Sequence, residues 1–152
     1  MISTAGYAFL SGSGYSQNGQ DSVDGVRYTG VNWIVTINGQ EYQFANSPDS
    51  FANMSVGVAS NLASYSGMPL YVVSDNNAIN SEIYNILGRY ASRVQSACYG
   101  PCDKDLPEKD CTENMIIWSD SAENRIYQEE KCVFIEGDLR TVDAFLYKIL
   151  KS

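Results

Sequence analysis

The stretch LYVVSDNNAINSEIYNILGRYASRVQSA, residues 70–97, decides the fold class. Leu70–Val73 is a short apolar run of the kind that makes a buried strand. Ser74, Asp75, Asn76 and Asn77 follow, and such side chains cap the free N–H groups at a helix start. Ile79, Ile83, Ile86, Leu87, Tyr90, Val94 and Ala97 then recur at helical spacing. The reading is one amphipathic helix that stops at Tyr99-Gly100-Pro101. A strand running straight into a helix calls for mixed α and β layers.

Working outward adds the other elements. Upstream, Val31–Ile37 and Gln40–Phe44 flank Asn38-Gly39, a pair suited to the positive φ angles of a type I′ turn, so a hairpin is expected. Trp33, Val35 and Ile37 share one face of it, and Tyr42 and Phe44 pair across. Val26–Thr29 adds an edge strand. Ser47-Pro48-Asp49 opens a weaker helix, with Phe51, Met54, Val58 and Leu62 at helical spacing, stopped by Gly67-Met68-Pro69. Downstream, Met115–Trp118 reads as a strand. Ile126-Tyr127 begins another, completed by Cys132–Ile135. Gly137-Asp138 breaks it, and Val142, Phe145, Leu146, Ile149 and Leu150 form a last amphipathic helix. The expected fold is therefore α/β or α+β: a two-layer sandwich, a mixed sheet with an N-terminal β-hairpin and two or three helices on one face. Residues 1–25 read as an N-terminal arm and linker, and 26–152 as a single globular domain.

With 152 residues, 44% hydrophobic and 18% charged, the chain has material for a real core. No window approaches 18 apolar residues, so no membrane span is expected within this chain. It has no histidine, which excludes Ser-His-Asp and Cys-His nucleophiles and His-bearing zinc sites. The net charge is −8. Residues 1–88 carry one base, Arg27, against six acids, and residues 89–152 nine bases against twelve acids. No basic patch forms, so nucleic acid is not an expected partner. The reading nominates no catalytic residue, no cofactor and no metal, and the protein is expected not to be an enzyme.

Cys98, Cys102, Cys111 and Cys132 are expected to form two disulfides. Four thiolates also suit zinc, but the paired C-x2-C knuckles of such sites are missing. The preferred pairing is Cys102–Cys111 with Cys98–Cys132, the latter tying a helix end to a strand. Disulfides imply an oxidising compartment, extracellular or at the cell surface. Asn53-Met54-Ser55 is an N-glycosylation sequon, which makes Asn53 a candidate modification site. The acidic run Asp103–Asp110 and the stretch Asp21–Gly25 are weak cation candidates, read as solvated loops. Gly12-Ser13-Gly14 lacks the preceding strand that a phosphate loop needs.

The segments Asn38–Phe44, Pro69–Val73, Arg93–Cys98, Asp105–Cys111, Cys132–Gly137 and Asp143–Leu150 resemble an uncharacterised family of small, disulfide-bonded envelope proteins from tiny, often symbiotic archaea. Members of that family begin with a short hydrophobic leader or anchor followed by a Gly/Ser-rich stretch. The resemblance implies an exported, disulfide-bonded domain and implies no activity. Residues 1–25 lack a charged n-region and a long h-region, so they do not read as an intact signal peptide. Met1 is either a true start or the first residue after a removed leader.

Eleven tyrosines are many for this length, and Tyr7, Phe9 and Tyr15 in the arm are candidate subunit contacts. The expected function is a non-enzymatic cell-surface structural protein that self-assembles. Residues 1–11 would be a strand donated to a neighbour's open sheet edge, so copies of itself are the partner and a filament is the form. The alternative is a membrane-tethered extracytoplasmic domain that binds a ligand or partner.

Overall fold

The structure is a computed structural model and describes residues 23–152. The described residues are α+β: a five-stranded mixed sheet, a three-stranded antiparallel sheet, a two-stranded ribbon and three helices. The chain forms two compact units that divide after Ala45, where the sequence reading has a single body from residue 26.

The first unit holds β1 (Val23–Tyr28), β2 (Trp33–Ile37) and β3 (Gln40–Phe44), all antiparallel. The expected turn is present: Asn38 and Gly39 take φ of 53° and 80°, the left-handed region that asparagine and glycine tolerate best. Trp33 pairs with Phe44 and Val35 with Tyr42, as the alternation requires. Val35, Ile37, Tyr42 and Phe44 are all buried. β1 begins at Val23, so the strand takes in residues assigned above to the linker.

The second unit begins at Asn46. It carries a 3-10 turn (Pro48–Phe51), α1 (Leu62–Tyr65), β4 (Pro69–Val73), α2 (Asn77–Leu87), β5 (Arg93–Ser96), β6 (Cys98–Tyr99), β7 (Glu108–Lys109), β8 (Met115–Ser119), β9 (Arg125–Glu129), β10 (Cys132–Glu136) and α3 (Leu139–Lys151). The sheet order is β9-β10-β8-β4-β5. Only the β9–β10 pair is antiparallel; β10–β8, β8–β4 and β4–β5 are parallel. Leu70, Val72, Ile116, Val133 and Ile135 alternate onto one fully buried face. α2 buries Ile79, Ile83, Ile86 and Leu87, and α3 buries Val142, Phe145, Leu146 and Ile149. Two layers follow because each element has one apolar side to bury.

Three expectations need correction. The helix expected to reach residue 97 ends at Leu87. Beyond it Tyr90 O accepts from Gly67 N–H at 2.8 Å, and Ser92 N–H donates to Met68 O at 2.9 Å. These bonds turn the chain back beside β4, so Val94 lies on a strand and its helical spacing is coincidental. The helix expected from residue 47 shrinks to the 3-10 turn and α1. Between them the backbone pairs with β9: Gly57 bridges to Tyr127, and the Ala59 and Ser60 N–H groups donate to Gln128 Oε1 at 2.8 and 3.1 Å. The single strand expected over 126–135 is two, folded into a hairpin in which Glu130 takes φ 53°.

Candidate functional site

Among the described residues, one edge of the five-stranded sheet has no strand beyond it. β5 pairs with β4 on one side, and no described strand lies on the other. Ala97 N–H donates to Val72 O at 3.0 Å. In a parallel ladder both peptide groups of alternate residues face the same way, so Val94 and Ser96 turn theirs outward. Arg93, Gln95 and Ser96 are exposed, and the Arg93 guanidinium is held by Tyr71 Oη at 2.8 Å. Beside this edge, α2 forms the wall of a groove of about 280 Å³ lined by Val72, Asn80, Ser81, Tyr84, Val94 and Ser96. Tyr84 is 61% exposed. Asn80 is anchored through Nδ2 to Ser74 O at 3.2 Å, while its Oδ1 meets no donor among the described residues. An edge with outward peptide groups beside a half-apolar groove is the geometry by which an extended peptide adds to a sheet.

The opposite edge is closed. Gly57 N–H donates to Ile126 O at 3.2 Å, and Gln128 Oε1 takes two further N–H groups. Lys148 Nζ donates to Val56 O and Val58 O at 2.9 and 3.3 Å, holding the covering segment to α3. Residues 56–60 thus cover β9 as a blunting segment covers any exposed edge.

All four cysteines are bonded, but not in the expected pairs. The bridges are Cys98–Cys102 and Cys111–Cys132, with Cα separations of 6.2 and 5.0 Å, both within disulfide range. The pairing Cys102–Cys111 with Cys98–Cys132 is overturned because Cys98 is on β6, not at a helix end. Gly100 takes φ 76° directly after β6, and the chain returns Cys102 to Cys98. Cys132 opens β10 opposite Met115, while Lys131 N–H donates to Cys111 O at 3.2 Å. The second bridge therefore joins the middle of the sheet to the loop that enters it. Around it pack Tyr71, Ala97, Met115 and Phe134. Two disulfides mark a protein of an oxidising compartment, outside the reducing cytosol. No helix among the described residues is long and apolar enough to cross a membrane.

One carboxyl pair, with a buried member, escaped the sequence reading. Asp143, on α3, is 0% exposed. Its Oδ2 accepts from Asn46 N–H at 3.1 Å and from Asn46 Nδ2 at 3.0 Å, while Oδ1 meets no donor among the described residues. The group facing it is the Glu82 carboxyl on α2. Burial, and then the neighbouring Glu82, push the Asp143 pKa up to about 9. A carboxyl that keeps its proton can donate toward Glu82. A signal was available: Asp143 completes the apolar stripe of Leu139, Val142, Leu146 and Ile149, as Glu82 sits between Ile79 and Ile86. Paired carboxyls with a raised pKa also occur at acid–base sites, but Asp143 has no exposed surface for a substrate to reach.

The other candidates fall as follows. Tyr7, Phe9, Tyr15 and Gly12-Ser13-Gly14 lie outside the described residues. Asn53 is exposed beside the closed edge. In the acidic loop, Glu108 Oε2 accepts from Cys102 N–H at 3.1 Å, Asp110 Oδ1 accepts from Thr112, and Lys109 pairs with Glu113 at 3.2 Å. The Thr112 hydroxyl and N–H hold the Asp110 carboxyl below its usual range. No cluster of three or more potential metal ligands occurs among the described residues. Comparison with family models, with curated proteins and with solved structures finds no match to this chain.

Proposed function

We propose that the protein is a non-enzymatic structural subunit of a cell surface that self-assembles by strand addition, with residues 1–11 of one copy entering the β5 edge of the next. The observation that carries this reading is the asymmetry of the sheet: one edge closed by residues 56–60, the other without a partner among the described residues and beside a groove. The arm sequence supports it. Residues 1–11 carry no charged side chain, and Ala5, Tyr7 and Phe9 recur at period two, which puts three side chains on one face of an extended chain. Main-chain hydrogen bonds would give affinity, and one ring in the groove would fix register. An arm that enters the next subunit makes a head-to-tail contact, which builds a filament when it does not close into a ring. The resemblance to archaeal envelope proteins agrees with a surface location.

The test uses the chain lacking residues 1–14 and a synthetic peptide of those residues. Peptide addition is expected to shift the backbone resonances of 93–96 and of the outer face of α2. A peptide that binds nowhere, or elsewhere, contradicts the reading. Failure of this peptide together with binding of unrelated extended peptides at the same edge would favour the tethered binding domain.

A further inference from the structure

The closed edge carries its own chemistry, independent of whether the arm is a donor. We infer that Asn53 is a site of N-linked glycosylation and that the proximal sugars of the glycan lie in the groove beside β9. The sequon Asn53-Met54-Ser55 follows the 3-10 turn in a stretch without helix or strand, and Met54 N–H closes that turn onto Phe51 O at 3.1 Å. Asn53 and Ser55 are both exposed, and neither side chain makes a hydrogen bond among the described residues. The amide and the hydroxyl two residues on are thus free for a transferase to engage. The two disulfides place the chain in the compartment where this modification is made.

A groove of about 560 Å³ opens at the sequon, lined by Met54, Gly57, Glu123, Asn124, Arg125 and Thr141. Hydrogen bonding and packing tie its polar wall together. Thr141 Oγ1 donates to Asn124 Oδ1 at 2.9 Å, and both pack against Gly137, whose φ of 136° and crowded surroundings leave no room for a side chain. Arg125 lies over the Tyr127 ring at 4.2 Å. Hydroxyl-rich sugars suit such a mixture of donors, acceptors and a little apolar surface. In the transfer, the Asn53 Nδ2–C1 bond forms with a lipid-phosphate-linked oligosaccharide. The C1–O bond to the phosphate breaks, the lipid phosphate leaves with the electron pair, and the amide proton goes to base. The product would cover the closed edge with a bulky polar group and leave the β5 edge clear.

The experiment is to secrete the full chain from a eukaryotic host with a reference glycoprotein co-secreted, and to weigh the intact protein before and after peptide N-glycosidase. The wild type and Ser55→Thr are expected to lose a glycan mass mapped to Asn53, and Asn53→Gln and Ser55→Ala to show none. A secreted, disulfide-bonded wild type with unmodified Asn53, beside a reference that carries its glycan, overturns the inference. So does a glycan whose removal leaves amide exchange at residues 123–126 unchanged, since the sugars would then project into solvent.

Discussion

The two edges of the five-stranded sheet differ in their guards. β9 is covered by residues 56–60, which Gln128 and Lys148 hold in place. β5 has nothing beyond it among the described residues and lies beside a groove. Unpaired edges recruit other chains, and folds ordinarily blunt them. A sheet with one edge closed and the other without a partner among the described residues has a direction, and direction is what head-to-tail assembly requires.

The largest expected effect tests the frame that carries both edges. Asp143 has a folded-state pKa of about 9 against 3.8 for the ordinary side chain. Between these values the unfolded chain releases its proton while the folded one keeps it. Stability should therefore fall as pH rises through that window and level off above it. Asp143→Asn should flatten the profile, because its amide can donate toward Glu82 while its oxygen still accepts from Asn46. Denaturant melts from pH 5 to pH 9 check this; parallel profiles for wild type and variant would refute the raised pKa of Asp143.

Next comes the staple at the middle of the sheet. Replacing Cys111 and Cys132 together with serine should cost about 3 kcal/mol, because that bridge spans 21 residues. The same change at Cys98 and Cys102, 4 residues apart, should cost about 2 kcal/mol. Thermal melts of the two double variants give the order.

Opening the closed edge is a smaller change. Gln128→Ala removes the acceptor for two N–H groups and should cost about 1–2 kcal/mol. Amide exchange at residues 57–60 should rise, with little change in β4 or β5. A global rise would mean that the covering segment belongs to the core.

Smallest in stability is Ser96→Pro. It removes an outward N–H and no bond to β4, so its cost in stability should stay below that of Gln128→Ala. Its effect on assembly should be complete.

The sequence carried the architecture where local pattern and tertiary need agreed. Asn38-Gly39 set the hairpin and its cross-strand pairs, and the apolar stripes of α2 and α3 set the helical layer. It misled where a local period arose by chance. Val94 and Ala97 continue the spacing of α2, yet bonds from Gly67 and Ser92 draw the chain into β5. Phe51, Met54 and Val58 mimic a helix, yet Met54 N–H closes a 3-10 turn onto Phe51 O, and beyond it the backbone of residues 56–58 is claimed by β9 and Lys148. The disulfide pairing followed from the same error, since it rested on Cys98 being at a helix end. The bare edge was not legible at all, because which strand lies outermost is decided by long-range pairing. The carboxyl pair was legible in principle, as two acids on apolar stripes.

The central claim is directional assembly through the β5 edge. It is tested most directly by electron microscopy of the native, non-reduced chain beside a version lacking residues 1–14 and beside Ser96→Pro. Fibres in the full chain that vanish in both variants are the expected result. Uniform small particles in all three, or fibres that persist without the arm, would contradict it.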